Sequence, residues 1–123
     1  MKQHNLQDLT VDELVQRFLA ITLEQNRAIN ADDNATYNSL FRSMRAVEEV
    51  LKHFPGDQRR ALIPLYEHAN AQVRLAAAKA TLAVAPAAAR RMLQAIADSN
   101  DNPQAGDAGM CLVALDRGIF KPT

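Results

Sequence analysis

Between residues 51 and 91 the sequence holds seven basic and two acidic side chains, although Lys plus Arg and Asp plus Glu balance at 14 each over the whole chain. Arg59, Arg60, Arg74, Lys79, Arg90 and Arg91 supply most of that local excess. Guanidinium and ammonium groups clustered in this way bind carboxylates or phosphates, the arginines through two-pronged contacts. Residues 1–50 carry five basic and eight acidic groups and residues 92–123 two and four, so the chain reads acidic, then basic, then acidic. Three uses of the basic block follow: a solvated or internally paired face, a seat for an acidic protein, or a strip that tracks a nucleic-acid backbone. The acidic flanks weigh against the last.

Other chemistry needs groups that the spacing does not bring together. His4, His53 and His68 are the three imidazoles, and no pair has the three-to-five-residue separation of a metal site on one helix face; surface histidines and no metal are expected. Cys111 stands beside Met110, Leu112 and Val113 with no basic neighbour to lower its pKa, which reads as a small buried apolar side chain rather than a nucleophile. Gly106 and Gly109 are three apart within a predicted helix, where close approach of another backbone explains them better than a phosphate loop does. A catalytic pocket would need Tyr66, Glu67, His68 and Asp107 to converge, and nothing in their spacing requires it. The expectation is no enzyme activity and no cofactor.

Helices must position these groups. Four glycines, five prolines, no Trp and apolar residues at helical spacing nearly throughout predict an all-α chain. Thr10 and Glu13 form a capping-box pattern that opens a helix to about Ile29, with Val11, Leu14, Val15, Phe18, Leu19 and Thr22 as its buried stripe. Asp32 or Asp33 caps a second helix that buries Tyr37, Leu40, Phe41, Met44, Val47, Leu51 and Phe54 and turns Arg42, Arg45, Glu48, Glu49 and Lys52 outward, until Pro55-Gly56 ends it. Asp57 caps a third from about Gln58 to Glu67, which faces Ala61, Leu62, Leu65 and Tyr66 inward and is bent by Pro64. Asn70 caps a fourth, whose Ala76, Ala77 and Ala80 leave so little side-chain thickness that another helix can pack close. Pro86 suits the first turn of a fifth carrying Met92, Leu93, Ile96 and Ala97, and Asn102-Pro103 opens a sixth that stops at Gly118.

A length of 123 residues suits one core, hence a single domain over 1–123. One cysteine makes no internal disulfide, and the opening residues lack the apolar run of a secretory signal, so a reducing cytoplasm is expected. The weakly polar stretch from Leu75 to Ala89 is broken by Lys79 and Pro86 and falls short of the roughly 20 apolar residues of a membrane span.

The segment 62–82 recurs about one module later. Leu62, Leu65, Tyr66 and Glu67 match Leu93, Ile96, Ala97 and Asp98 at an offset of 31, and Asn70, Gln72, Ala76 and Ala80 match Asn102, Gln104, Ala108 and Leu112 at 32. The run Leu62-Ile63-Pro64-Leu65-Tyr66, followed by Asn70-Ala71-Gln72-Val73-Arg74-Leu75-Ala76-Ala77-Ala78-Lys79-Ala80, resembles a HEAT-type repeat with a Pro-bent first helix and Val-Arg-x-x-Ala-Ala opening the second. In such repeats an Asp of the turn pairs with the Arg. Asn70 stands at that position here, which leaves Arg74 without that carboxylate, and the second unit has Gly106 in place of the Arg. The stretches from Pro55 to Arg60, Pro103 to Met110 and Leu115 to Phe120 resemble the bacterial family called domain of unknown function 2019 over nearly the whole chain. That resemblance implies a HEAT-like superhelix and no assigned activity.

The combined expectation is an all-α, HEAT- or armadillo-like α-α superhelix of about three stacked hairpins, 10–54, 57–85 and 86–118. Its expected role is a non-catalytic cytoplasmic module that binds a protein on its concave surface, with Arg59, Arg60, Arg74, Lys79 and Arg91 supplying charged contacts. Nucleic-acid binding through the same basic strip is the alternative. A short stack also has two ends, either of which can pair with a second copy to form a homodimer.

Overall fold

The computed structural model describes residues 5–123, so His4 lies outside the described residues. A 3-10 turn at Leu6–Asp8 leads into helices α1 (Val11–Asn30) and α2 (Asn34–His53), a 3-10 helix at Gln58–Glu67, then α3 (Ala71–Thr81), α4 (Pro86–Ala97) and α5 (Gln104–Asp116). No strand occurs among the described residues. Contacts group the chain into two compact units, one up to Ala61 and the other from Leu62.

Local chemistry accounts for the boundaries. The Thr10 hydroxyl accepts from the Glu13 backbone N–H at 3.1 Å while the Glu13 carboxylate accepts from the Thr10 N–H at 2.9 Å, closing the capping box. Asp33 rather than Asp32 caps α2, through the Thr36 N–H at 3.1 Å; Asp32 takes a left-handed φ of 54° in the turn before it. The Asn70 side chain accepts from Gln72 N–H at 2.9 Å and Val73 N–H at 3.3 Å. Pro86 occupies the first turn of α4, where its missing N–H costs nothing. After α5, Gly118 has a φ of 69° and the Ile119 N–H reaches back to the Ala114 carbonyl at 2.9 Å, an arrangement that satisfies the helix end. The third predicted helix differs in kind. Its ten residues, with Pro64 inside, form a 3-10 rather than a bent α-helix. Pro64 has no N–H to donate to an i→i−4 ladder.

In the first unit α1 packs on α2, with Leu14, Phe18, Ala28, Met44, Val47 and Leu51 buried. Two side chains depart from the expected faces. Phe41, placed inside by its spacing, is 44% exposed, and Glu48, placed outside, is 9% exposed. Glu48 lies one helical turn from both Met44 and Leu51 and therefore shares their buried stripe. Its two carboxylate oxygens each accept from Arg45 Nη1 at 3.0 Å. Burial pushes the Glu48 carboxyl above its usual range, against the opposing pull of Arg45 and Arg59.

In the second unit α3 is buried nearly all round. Val73, Leu75, Ala76, Ala77, Ala78 and Ala80 are each at most 5% exposed. α4 and α5 pack on α3 and on each other around Leu75, Ala78, Leu82, Ala89, Leu93, Ile96 and Ala108, with Tyr66, Met92, Cys111, Leu112 and Leu115 at the margin. Thr81, wholly buried, donates its hydroxyl to the Ala77 carbonyl at 2.9 Å and shares a hydrogen bond with the Tyr66 hydroxyl. The buried Gln104 amide donates to the Gln72 side-chain oxygen at 3.1 Å, so the starts of α3 and α5 meet.

Two measurements check this packing. Ala77→Leu, which adds three carbons at a site with no exposed surface, is expected to cost about 1–3 kcal/mol in urea unfolding, while Ala83→Leu on the exposed turn after α3 stays within about 0.5 kcal/mol. For Glu48 the raised native pKa means that its stabilising contribution is complete below the ordinary glutamate pKa and is lost as pH rises through the native value. The stability of Glu48→Gln minus that of the natural protein should therefore be larger at pH 7 than at pH 4; an equal or smaller difference would contradict the burial of the charge.

Candidate functional site

The basic block divides once side chains are placed. Asp57, held at a left-handed φ of 52°, directs its carboxylate onto Arg59, accepting from Nε at 2.9 Å and Nη2 at 2.7 Å. Arg59 is only 6% exposed, and this pairing raises its pKa while the Arg59 guanidinium lowers that of Asp57. Arg59 is thus a structural cation of the first unit, not an exposed contact. Arg60 is exposed and is itself engaged within the protein.

In the second unit Lys79 of α3 pairs with Asp107 of α5, and Arg90 of α4 pairs with Asp116 at the other end of α5. These bridges neutralise cations that the sequence could only count. Arg91 is exposed and makes no ion pair with the described residues. Arg74 is half-buried in the first turn of α3, and its Nε is shut off from solvent with no hydrogen-bond partner in the protein. The same turn contains no acidic residue to offset this cation at the positive end of the helix dipole. Of the five candidate residues, Arg74 and Arg91 are therefore left to receive an outside anion, and Lys79 only in competition with Asp107.

The other candidates settle into ordinary surroundings. His68 Nδ1 accepts from the Asn70 backbone N–H at 3.0 Å, a turn contact. His53 Nδ1 lies 2.8 Å from the Glu49 carbonyl of its own helix. Burial raises the Cys111 thiol pKa, outweighing the nearby Lys79, so the thiolate is disfavoured. Among the described residues no group of three or more His, Cys, Asp or Glu side chains is placed to hold a metal ion. No helix among them is long and apolar enough to cross a membrane.

Two surfaces escaped the sequence reading. A hollow of about 390 Å³ at the end of α2 is lined by Gln7, Glu49, Val50, His53, Phe54 and Pro55. The outer side of α5 shows Met110 at 75% and Val113 at 49% exposure, followed by Ile119 at 75% and Phe120 at 40%. The signal for the second was present. Gly106, Met110 and Val113 recur at i, i+4 and i+7, a stripe opposite the one that Ala105, Ala108, Cys111, Leu112 and Leu115 use for the core.

The fold has a near match among solved structures. The crystal structure of the protein RPA1889 from Rhodopseudomonas palustris CGA009 superposes with a TM-score of 0.94 at 49% sequence identity, covering 98% of this chain and 100% of that one. No curated protein matches the sequence. The family model described as Domain of unknown function (DUF2019) matches residues 12–116, and the chain belongs to that family.

Proposed function

We propose that this chain is a non-catalytic, cytoplasmic protein-binding module of HEAT-like build, and that its second unit receives acidic side chains of a partner at Arg74, with Arg91 as an auxiliary contact. The observation that carries this reading is the half-buried Arg74 guanidinium, whose Nε–H has no acceptor in the protein. No carboxylate of this chain is paired with it, so a partner carboxylate that engages the part still open to solvent supplies a charge-assisted pair of about 1.5–3 kcal/mol. The HEAT-like reading draws on the Gln72 to Gln104 hydrogen bond, which joins two positions already matched at an offset of 32 in the internal repeat. Repeats that stack in register bring equivalent positions together. A non-catalytic role agrees with a Cys111 thiol held protonated by burial and a His68 ring occupied by its own turn.

Nucleic acid fits these surroundings less well. Phosphate tracking needs a row of uncommitted cations, whereas Arg59, Lys79 and Arg90 each face a carboxylate of this chain.

The test is retention of a partner from bacterial lysate on the immobilised protein, repeated with Arg74→Gln, Arg91→Gln and the double variant. Loss of one charge-assisted pair of about 1.5–3 kcal/mol should weaken the Arg74→Gln complex roughly 10- to 100-fold, with a smaller effect at exposed Arg91. Retention that is unchanged in the double variant places the contact elsewhere. Capture of random duplex DNA at low salt, lost steeply on adding salt, would favour the nucleic-acid reading instead.

A further inference from the structure

We propose that the outer face of α5 is the contact surface of a homodimer, in which α5 packs antiparallel to α5 of a second copy about a two-fold axis beside Met110. This face is separate from Arg74, and the proposal stands whether or not that residue binds a partner. α5 is apolar nearly all round, Gln104, Asp107 and Asp116 being its polar residues. One side is spent on the core of its own unit. The opposite side presents Met110 and Val113, and Ile119 and Phe120 follow beyond the helix end, all four exposed. Large apolar side chains left exposed together near one helix mark a candidate interaction site.

The glycines add a constraint on what covers the face. A Cβ at Gly109 would meet nothing within 4 Å, and one at Gly106 would meet only the flexible Asn102 Oδ1 at 3.7 Å. Neither glycine has a left-handed φ. Each therefore weakens α5 by about 1 kcal/mol relative to Ala with no return inside the chain. Close approach of an external backbone to the strip formed by Gly106, Gly109 and Met110 supplies the missing reason.

Charge selects the occupant. Asp101 lies exposed just before α5 and Arg117 and Lys121 lie exposed just after it, with no ion pair on any of the three. Two copies of α5 in parallel would set like charges side by side. In the antiparallel arrangement with the axis at Met110, residue 117 of one copy is level with residue 103 of the other, about 10 Å along the helix from the axis. Arg117 then reaches Asp101 of the second copy, and the two-fold axis makes the contact twice. Val113 of one copy falls beside the gap left by Gly106 of the other, and the two helix dipoles oppose.

A footprint of one short helix and its tail sits at the low end of interface size, so the dimer should be weak, with a Kd on the order of micromolar. Sedimentation of the full chain from about 1 to about 500 µM should show the mass rising from one chain to two. Met110→Glu should hold it at one chain throughout with an unchanged helical circular-dichroism spectrum. Gly109→Ala should raise the unfolding temperature measured at low, monomeric concentration and yet weaken the dimer. Arg117→Asp should raise Kd by about tenfold or more, and adding Asp101→Arg to it should restore most of the loss. A single-chain mass at every concentration overturns the proposal, as does a dimer indifferent to Met110→Glu. Charge reversal without rescue overturns the antiparallel two-fold arrangement.

Discussion

In the second unit, the thinness of α3 governs what can lie beside it. Ala76, Ala77, Ala78 and Ala80 carry one side-chain carbon each, and all are buried, so the axes of neighbouring helices can approach without larger side chains holding them apart. Packing at that separation leaves little tolerance, because an interior already near crystal density has no room for added carbons. The larger side chains of the unit sit around this seam. Leu75, Leu82, Leu93 and Ile96 fill the space that the alanines do not, and Tyr66 closes its edge by sharing a hydrogen bond with Thr81. The internal hydroxyl of Thr81 is satisfied by the carbonyls of its own helix, so this polar atom costs the seam nothing.

Close packing then decides which charges meet. Lys79 reaches Asp107 because α3 and α5 are neighbours, and Arg90 reaches Asp116 because α4 and α5 are. Each of these pairs is partly open to solvent and contributes no more than about 1 kcal/mol to stability. Their larger consequence is electrostatic. They cancel two cations of the basic block and leave Arg74 as the group whose surroundings do not match its charge. An arginine in the first turn of a helix that holds no acidic residue, with its Nε buried and without an acceptor, is disfavoured both by the dipole and by the lost hydrogen bond. The turn that precedes it explains the gap: Asn70 uses its side-chain oxygen to cap the backbone of Gln72 and Val73 and has no charge to offer Arg74.

Much of this architecture was legible in the sequence because it rests on short-range rules. A cap needs a side chain two or three residues from the N–H it satisfies, and Thr10, Asp33 and Asn70 all fulfil that requirement within their own turn. Pro86 and Gly118 act through their own φ angles. The failures are of two kinds. Glu48 was readable: it falls on the same turn-spaced stripe as Met44 and Leu51, and its charge alone argued for the outside. The fate of Lys79 and Arg90 was not readable in the same way, whereas Arg59 pairs with Asp57 only two residues away. Lys79 to Asp107 and Arg90 to Asp116 span 28 and 26 residues, and a pairing at that distance depends on which helices become neighbours. Counting charges gave a basic block, whereas placing them gave a largely neutralised one. The 3-10 geometry of Gln58–Glu67 likewise lies beyond a helical periodicity that fits either winding over ten residues.

The two faces left unsatisfied differ in physical character, and that difference sets how a contact at each would respond to salt. Arg74 presents a half-buried cation, an attraction that weakens as salt screens it, though less than for a fully exposed charge. The α5 face presents Met110, Val113, Ile119 and Phe120, whose burial against any surface is strengthened by the excluded salts that promote apolar association. Sulfate, which raises ionic strength and also favours apolar burial, therefore pushes the two contacts in opposite directions. The two proposed contacts would not compete, because the residues assigned to them, at the start of α3 and along the outside of α5, do not overlap.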